Sequence, residues 1–292
     1  MAAVDSKQAA PDEQPDPPPE KKSRAGRNLP AAIGVGAALG GLVLASLLLW
    51  KPAFYAVIVA AIVVATWEMV RAVGTAGIRP PMVPLLVGGA AMAWLTWYAG
   101  AEGLPYGLIG TAIAVLVWRL ADGPAGYQRD VVTGLLIAAY VPFLGGFVML
   151  LLAPDNDGHL RVLAMLAAVV MSDTGGYAFG VFLGRHKLAP TISPGKTWEG
   201  FAGSLFTAGV GGALLVRFVL DGHWYWGVVF GVAVAAASTV GDLAESLLKR
   251  DLGVKDMSSL LPGHGGLMDR LDSILLAAPV AYAVLTNLVP PG

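Results

Sequence analysis

The chain has 292 residues, 56% of them hydrophobic and 13% charged, with a formal net charge of −1. A soluble domain needs more charge than this on its surface, so the composition excludes one and points to a protein that lives in lipid. There is no cysteine, which excludes disulfides and leaves the compartment undetermined by redox.

Residues 1–28 are rich in Pro, Gln, Asp, Lys and Ala, lack an apolar period and read as a disordered cytoplasmic tail. Apolar runs of about 20 residues follow, each long enough to cross a hydrocarbon core of about 30 Å. They lie at about 29–50, 52–70, 81–100, 104–120, 131–153, 160–183, 197–219, 224–248 and 268–289. The first is too long for the apolar stretch of a signal peptide, so it is read as a retained helix. The expected fold is an all-α polytopic integral membrane protein of about nine transmembrane helices with a cytoplasm-facing polar site. Five helices form an N-terminal region, 29–153; four form a C-terminal region, 154–292, that carries loops 184–196 and 249–267.

With the N-terminus in the cytoplasm, 16 of the 19 Lys and Arg fall on the cytoplasmic side, and only Lys51, Arg161 and Arg217 fall outside. The positive-inside rule asks for such asymmetry, and it puts the C-terminus outside. The eight tryptophans lie mostly near run ends, as an interfacial belt requires.

Ionisable residues within such runs cost about 2.5–3.5 kcal/mol each and need a reason. Asp173 lies in the sixth run, roughly 15 Å from its cytoplasmic end at a helical rise of about 1.5 Å per residue. Asp242 lies near the cytoplasmic end of the eighth run, and Asp269 and Asp272 open the ninth. Asp242, Glu245, Ser246 and Lys249 share one helix face, as do Asp269, Asp272 and Ser273. Two helices joined by a cytoplasmic loop can thus turn oxygen ligands toward one another. Hard oxygen ligands with room for water and phosphate suit Mg²⁺, whereas scattered histidines without cysteine do not suit zinc. Any one of these carboxylates alone could pair with an arginine or cap a helix; their concentration at one end of the membrane favours a site.

The loop from Lys249 to Gly266 adds cations: Lys249, Arg250 and Lys255 can neutralise phosphate oxygens. Gly263, Gly265 and Gly266 permit positive φ and let N–H groups face an anion. In the loop before the seventh run, Gly195-Lys196-Thr197 looks like the end of a P-loop. Pro190 stands where the first glycine would be, and no strand–helix unit surrounds it, so a Walker motif is excluded. Lys196 remains a candidate phosphate ligand, and Thr197-Trp198-Glu199 open a helix whose N-terminus favours anions. A transporter reading of the intramembrane carboxylates fits less well, because the charges gather at one end and no inverted repeat is evident. A CDP-alcohol phosphatidyltransferase is excluded, since Asp122-Gly123 begins a motif that does not continue.

Ser246-Leu247-Leu248-Lys249-Arg250, Lys255-Asp256 and His264-Gly265-Gly266-Leu267-Met268-Asp269-Arg270-Leu271-Asp272 together resemble the signature of the phosphatidate cytidylyltransferases, the CDP-diacylglycerol synthases. Ser193-Pro194-x-Lys196-Thr197-Trp198-Glu199-Gly200 is similar to that family too, which often has Lys where this chain has Gly195. The likeness covers roughly residues 165–290; beyond it, Glu68 is similar in kind. The resemblance implies a homodimeric, multi-pass enzyme of the cell inner (plasma) membrane that converts CTP and phosphatidic acid to CDP-diacylglycerol and diphosphate with Mg²⁺, and no nucleic-acid partner. It implies that Asp242 and Asp269 hold one cation or two, and Asp272 joins them as an expected metal ligand. The expected catalytic residues are Asp173, Asp242, Lys249, Arg250 and Asp269. The expected substrate-binding residues are Ser193, Lys196, Thr197, Glu199, Lys255, Asp256, His264, Gly265, Gly266 and Arg270.

Overall fold

The computed structural model describes residues 29–261, 263 and 265–290, the first four of these by backbone alone. The expected tail and His264 lie outside the described residues. The helices are α1 Leu29–Leu49, α2 Lys51–Thr75, α3 Met82–Ala99, α4 Gly103–Leu120, α5 Tyr127–Ala138, α6 Leu144–Leu152, α7 Gly158–Leu183, α8 Trp198–Phe218, α9 Trp224–Asp251 and α10 Met268–Leu288. Their bounds follow local chemistry. Trp50 is extended and Pro52 sits in the first turn of α2, where a missing N–H costs nothing. The expected single run 131–153 is interrupted by a π-turn at Ala139–Phe143 around Pro142.

Among the described residues, seven helical stretches are long and apolar enough to cross a membrane, against the nine crossings expected. The described apolar part of α1 is the shorter Ile33–Leu49. Residues 82–120 form one apolar stretch of 39 residues, and this stretch folds back on itself at Gly100, whose φ is 59°. In the resulting α3–α4 hairpin Gly107 meets Met92 and Gly88 meets Thr111. Large exposed side chains such as Leu49, Phe182 and Phe218 lie on the outer surface of the bundle, which suits contact with lipid rather than water.

Helices α7 to α10 pack in sequence order, held close by small residues, as is usual in lipid. A Cβ on Gly231 would collide with the carbonyl oxygen of Ala208, and one on Gly241 with that of Asp272. Interhelical hydrogen bonds reinforce the contact: Ser204 donates to the Ser172 carbonyl at 2.8 Å and Thr207 to that of Met171 at 3.0 Å. At the far end from Asp242, the buried Arg161 pairs with Asp157 at 2.9 Å and donates to the carbonyls of Leu285 at 3.0 Å and Val289 at 2.7 Å. It ties the start of α7 to the end of α10.

The loop expected over 184–196 is instead an antiparallel hairpin of β1 Lys187–Ala189 and β2 Ser193–Thr197, with Lys187 opposite Thr197 and Ala189 opposite Ser193. Pro190, Pro194 and Gly195 bar a helix here, so the backbone groups pair across a short ribbon.

Candidate active site

Where α7, α8 and α9 meet beside the hairpin they form a cavity of about 550 Å³. The helices come this close because Gly176 faces Ser204 and Gly180 faces Thr197. Asp173 from α7, Thr239 and Asp242 from α9, and Ser193, Lys196 and Thr197 from β2 line the space. Lys196 Nζ lies 2.5 Å from Asp242 Oδ2, and Ser246 donates to Asp242 Oδ1 at 3.2 Å. Asp173 and Asp272 both lie within electrostatic reach of Asp242. Two carboxylates, an ammonium and several hydroxyls around one cavity can hold a cation and a polyphosphate side by side.

The hairpin is fixed at both ends. Thr197 Oγ1 accepts from the Gly200 N–H at 3.1 Å and caps α8. Glu199 accepts from the N–H groups of Arg185 at 3.1 Å and His186 at 3.2 Å, and its other oxygen meets His186 Nδ1 at 2.6 Å. Arg250, at the end of α9, donates to the Ile192 carbonyl near the hairpin tip. Glu199 and Arg250, expected to touch substrate or take part in catalysis, therefore hold the element that carries Lys196.

A second polar centre lies where α9, α10 and α2 meet the loop after α9. Asp269 Oδ1 pairs with Lys249 at 2.8 Å, while Oδ2 accepts from the N–H groups of Met257 at 2.9 Å and Gly266 at 2.8 Å. Lys249 also pairs with the fully buried Glu245 at 3.2 Å. The Gly266 N–H, expected to face a bound anion, faces the protein's own carboxylate. Glu68 of α2 accepts from the Ser258 hydroxyl at 2.5 Å, the Leu267 N–H at 3.0 Å and the Met268 N–H at 2.7 Å.

The structure thus gathers Asp173, Ser193, Lys196, Thr197 and Asp242 at the cavity, and Lys249, Gly265, Gly266 and Asp269 at the second centre. Lys255, Asp256 and Arg270 are exposed on the loop and the start of α10. Asp269 is expected beside Asp242; its oxygens are instead turned to Lys249 and the loop. Among the described residues no three acidic or histidine side chains stand close enough to share one metal ion. Ser204 and Thr239 of the cavity wall, and the loop-holding role of Glu68, are not among the features expected from the sequence. A carboxylate in the apolar run of α2 is the available signal for Glu68; the two hydroxyls carry none.

The profile of the cytidylyltransferase family matches residues 31–288. The phosphatidate cytidylyltransferase of Mycobacterium bovis is 44% identical over 99% of this chain and 100% of its own length. That of Mycobacterium tuberculosis is 46% identical over 93% of this chain and 86% of its own. The corresponding protein of Pseudomonas aeruginosa is 34% identical over 89% and 96%. Helices that cross lipid, a polar cavity at their ends and a match that runs through both lead to one conclusion: the chain belongs to the cytidylyltransferase family and is a membrane-embedded nucleotidyltransferase.

Proposed function

We propose that the chain transfers a cytidylyl group from CTP to phosphatidate, giving CDP-diacylglycerol and diphosphate; its relatives carry the name phosphatidate cytidylyltransferase. The observation that carries this reading is the Lys196–Asp242 pair at the cavity wall, with Asp173 on the opposite helix. A phosphate-seeking ammonium and two cation-seeking carboxylates meet where apolar helices end, so a lipid phosphate and a cytosolic triphosphate could both reach them.

A phosphate monoester has a second pKa near 6 and is largely dianionic at pH 7, so its attack needs no strong base. A lipid phosphate oxygen forms a bond to the α-phosphorus of CTP while the bond from that phosphorus to the bridging oxygen breaks and diphosphate leaves. The work of the protein is then positioning and charge neutralisation. Lys196 holds the triphosphate once it leaves Asp242, and Ser193 and Thr197 offer hydroxyl donors from the same strand. Lys249, oriented by Asp269 and Glu245, adds positive charge one to two helical turns along α9 from Asp242.

The donor set at the cavity suits Mg²⁺, which commonly takes one or two carboxylates and keeps several waters. Asp242 and Asp173 would hold it, with Asp272 the next carboxylate in reach and Asp269 acting through Lys249. When bound, the ion would neutralise phosphate oxygens and ease departure of diphosphate. The positive-inside asymmetry favours nine crossings with this end in the cytoplasm, and we take the enzyme to be a homodimer of the inner membrane on the family resemblance.

The test is purified protein in detergent with CTP, phosphatidate and Mg²⁺, scored for CDP-diacylglycerol and diphosphate in equal amounts. Product with phosphatidate and CTP supports the reading. Absence of product, or equal transfer to an unrelated alcohol, overturns it.

A further inference from the structure

The loop between α9 and α10 is held by two buried carboxylates from different helices. Glu68 of α2 has no exposed surface, and from a helix distant in sequence it accepts from Ser258 near the middle of the loop, from Leu267 at its end and from Met268, the first residue of α10. Asp269 does the same from α10, accepting from Met257 inside the loop and from Gly266 near its end. Each carboxylate therefore ties the middle of the loop, at 257 or 258, to the start of α10, closing the segment 257–268. The glycines are fitted to this: a Cβ on Gly266 would stand 2.9 Å from both oxygens of Glu68 and 3.0 Å from Asp269 Oδ2, and Gly265 adopts φ 80°.

The start of α10 has no local side-chain cap, so Glu68 supplies one from a distant helix at the positive end of the α10 dipole. A local serine or aspartate would cap the helix equally well. A cap from α2 does something more, because it fixes where α10 and the loop stand relative to the N-terminal helices. It also bears on charge: Asp269 shares its oxygens between the loop and Lys249. If the loop shifts, Asp269 shifts, and the Lys249 ammonium with it.

We infer that Glu68 is a positioning residue for nucleotide handling: it holds the 257–268 loop, and through Asp269 the Lys249 charge, in register with the cavity. The inference rests on the CTP reading above. Glu68 is not a catalytic residue, since its oxygens are taken up by the loop.

The experiment uses the full-length enzyme in detergent, with Glu68→Gln, Glu68→Ala and Ser258→Ala beside wild type. Hydrogen exchange of peptides covering 257–268 reads loop order directly. The Gln variant keeps one acceptor oxygen and sets its amide against an N–H donor, while Ser258→Ala removes one donor and leaves the carboxylate in place. Exchange should therefore quicken least in Ser258→Ala, more in Glu68→Gln and most in Glu68→Ala. Steady-state kinetics should give a rise in the KM for CTP with the KM for phosphatidate within about twofold, and a loss in kcat/KM for CTP on the order of 10- to 100-fold in Glu68→Ala.

If Glu68→Ala does not fold, the two milder variants carry the test. Wild-type exchange in both overturns the inference. So does faster exchange with unchanged kinetics, or with both KM values rising alike, because then Glu68 supports the fold and not the handling of nucleotide. Failure of the CTP reading itself would appear separately, as a wild-type enzyme that forms no CDP-diacylglycerol.

Discussion

Lys196 Nζ stands 2.5 Å from Asp242 Oδ2, and this ion pair joins the β-hairpin to α9 across the cavity. Under the proposed function both partners are needed elsewhere: the ammonium on a triphosphate, the carboxylate on Mg²⁺. The lysine occupies the oxygen a cation would take, so it competes with the metal until CTP draws it away. Lys196→Ala is therefore expected to lower the Mg²⁺ concentration giving half-maximal rate while reducing kcat/KM for CTP by about 10²- to 10³-fold. Initial rates over a grid of Mg²⁺ and CTP concentrations read both effects. A raised Mg²⁺ requirement would remove the competition from the account.

Asp242→Asn and Asp269→Asn should fail in different ways. Asp242 lines the cavity, where it pairs with Lys196 and accepts from Ser246. Its amide variant should keep the wild-type exchange pattern at 257–268 and lose turnover by on the order of 10³-fold. Asp269→Asn leaves the largely buried Lys249 without its nearest charge and sets an amide near two N–H donors. That variant should speed exchange in the loop and lower the unfolding temperature as well. Identical behaviour of the two variants would mean that the cavity and the second centre are one site.

The helices were legible because an apolar run of membrane length has few alternatives, and Asp173, Asp242 and Lys196 were legible because charge in or beside such a run is costly. Their meeting at one cavity follows from the order of packing of α7, α8 and α9 and from the glycines between them. The hairpin was not legible: three-residue β1 has no period to read, and its stability comes from Glu199, Thr197 and Arg250 pinning its ends. The grip of Glu68 on Leu267 and Met268 was hidden for a different reason. Periodicity reports which face of a helix is buried, but says nothing of which distant backbone a buried carboxylate will meet.

Three glycines near the site should respond differently to alanine. A Cβ on Gly195, in β2, would meet nothing within 4 Å, and the residue has no positive φ, so Gly195→Ala should leave stability within about 0.5 kcal/mol. Gly200 would place a Cβ 2.8 Å from the Gly176 carbonyl oxygen and 3.3 Å from Gly180 Cα, forcing α7 and α8 apart at about 1–3 kcal/mol. Gly266→Ala would press on Glu68 and Asp269 together, at a similar cost. Thermal unfolding in one detergent ranks the three, and a Gly195 variant as unstable as Gly200→Ala would contradict this packing.

Arg161 offers a test of stability far from the chemistry. Its side chain is 2% exposed and makes three bonds, to Asp157 and to the carbonyls of Leu285 and Val289. Removing it takes the donor from the buried Asp157 carboxylate and from the Val289 carbonyl, and leaves the Leu285 carbonyl only the Val289 N–H. Breaking a buried pair in this way costs about 3–5 kcal/mol. Arg161→Ala should therefore unfold at a markedly lower temperature, yet at low temperature, while folded, retain the wild-type KM for CTP, because the cavity lies toward the opposite end of α7. Arg161→Lys keeps the charge and loses the forked geometry that serves two carbonyls and a carboxylate at once, so it should fall between. A changed KM for CTP in folded Arg161→Ala would mean that the two ends of α7 are coupled, and that the position of Asp173 depends on how the helix is anchored at its start.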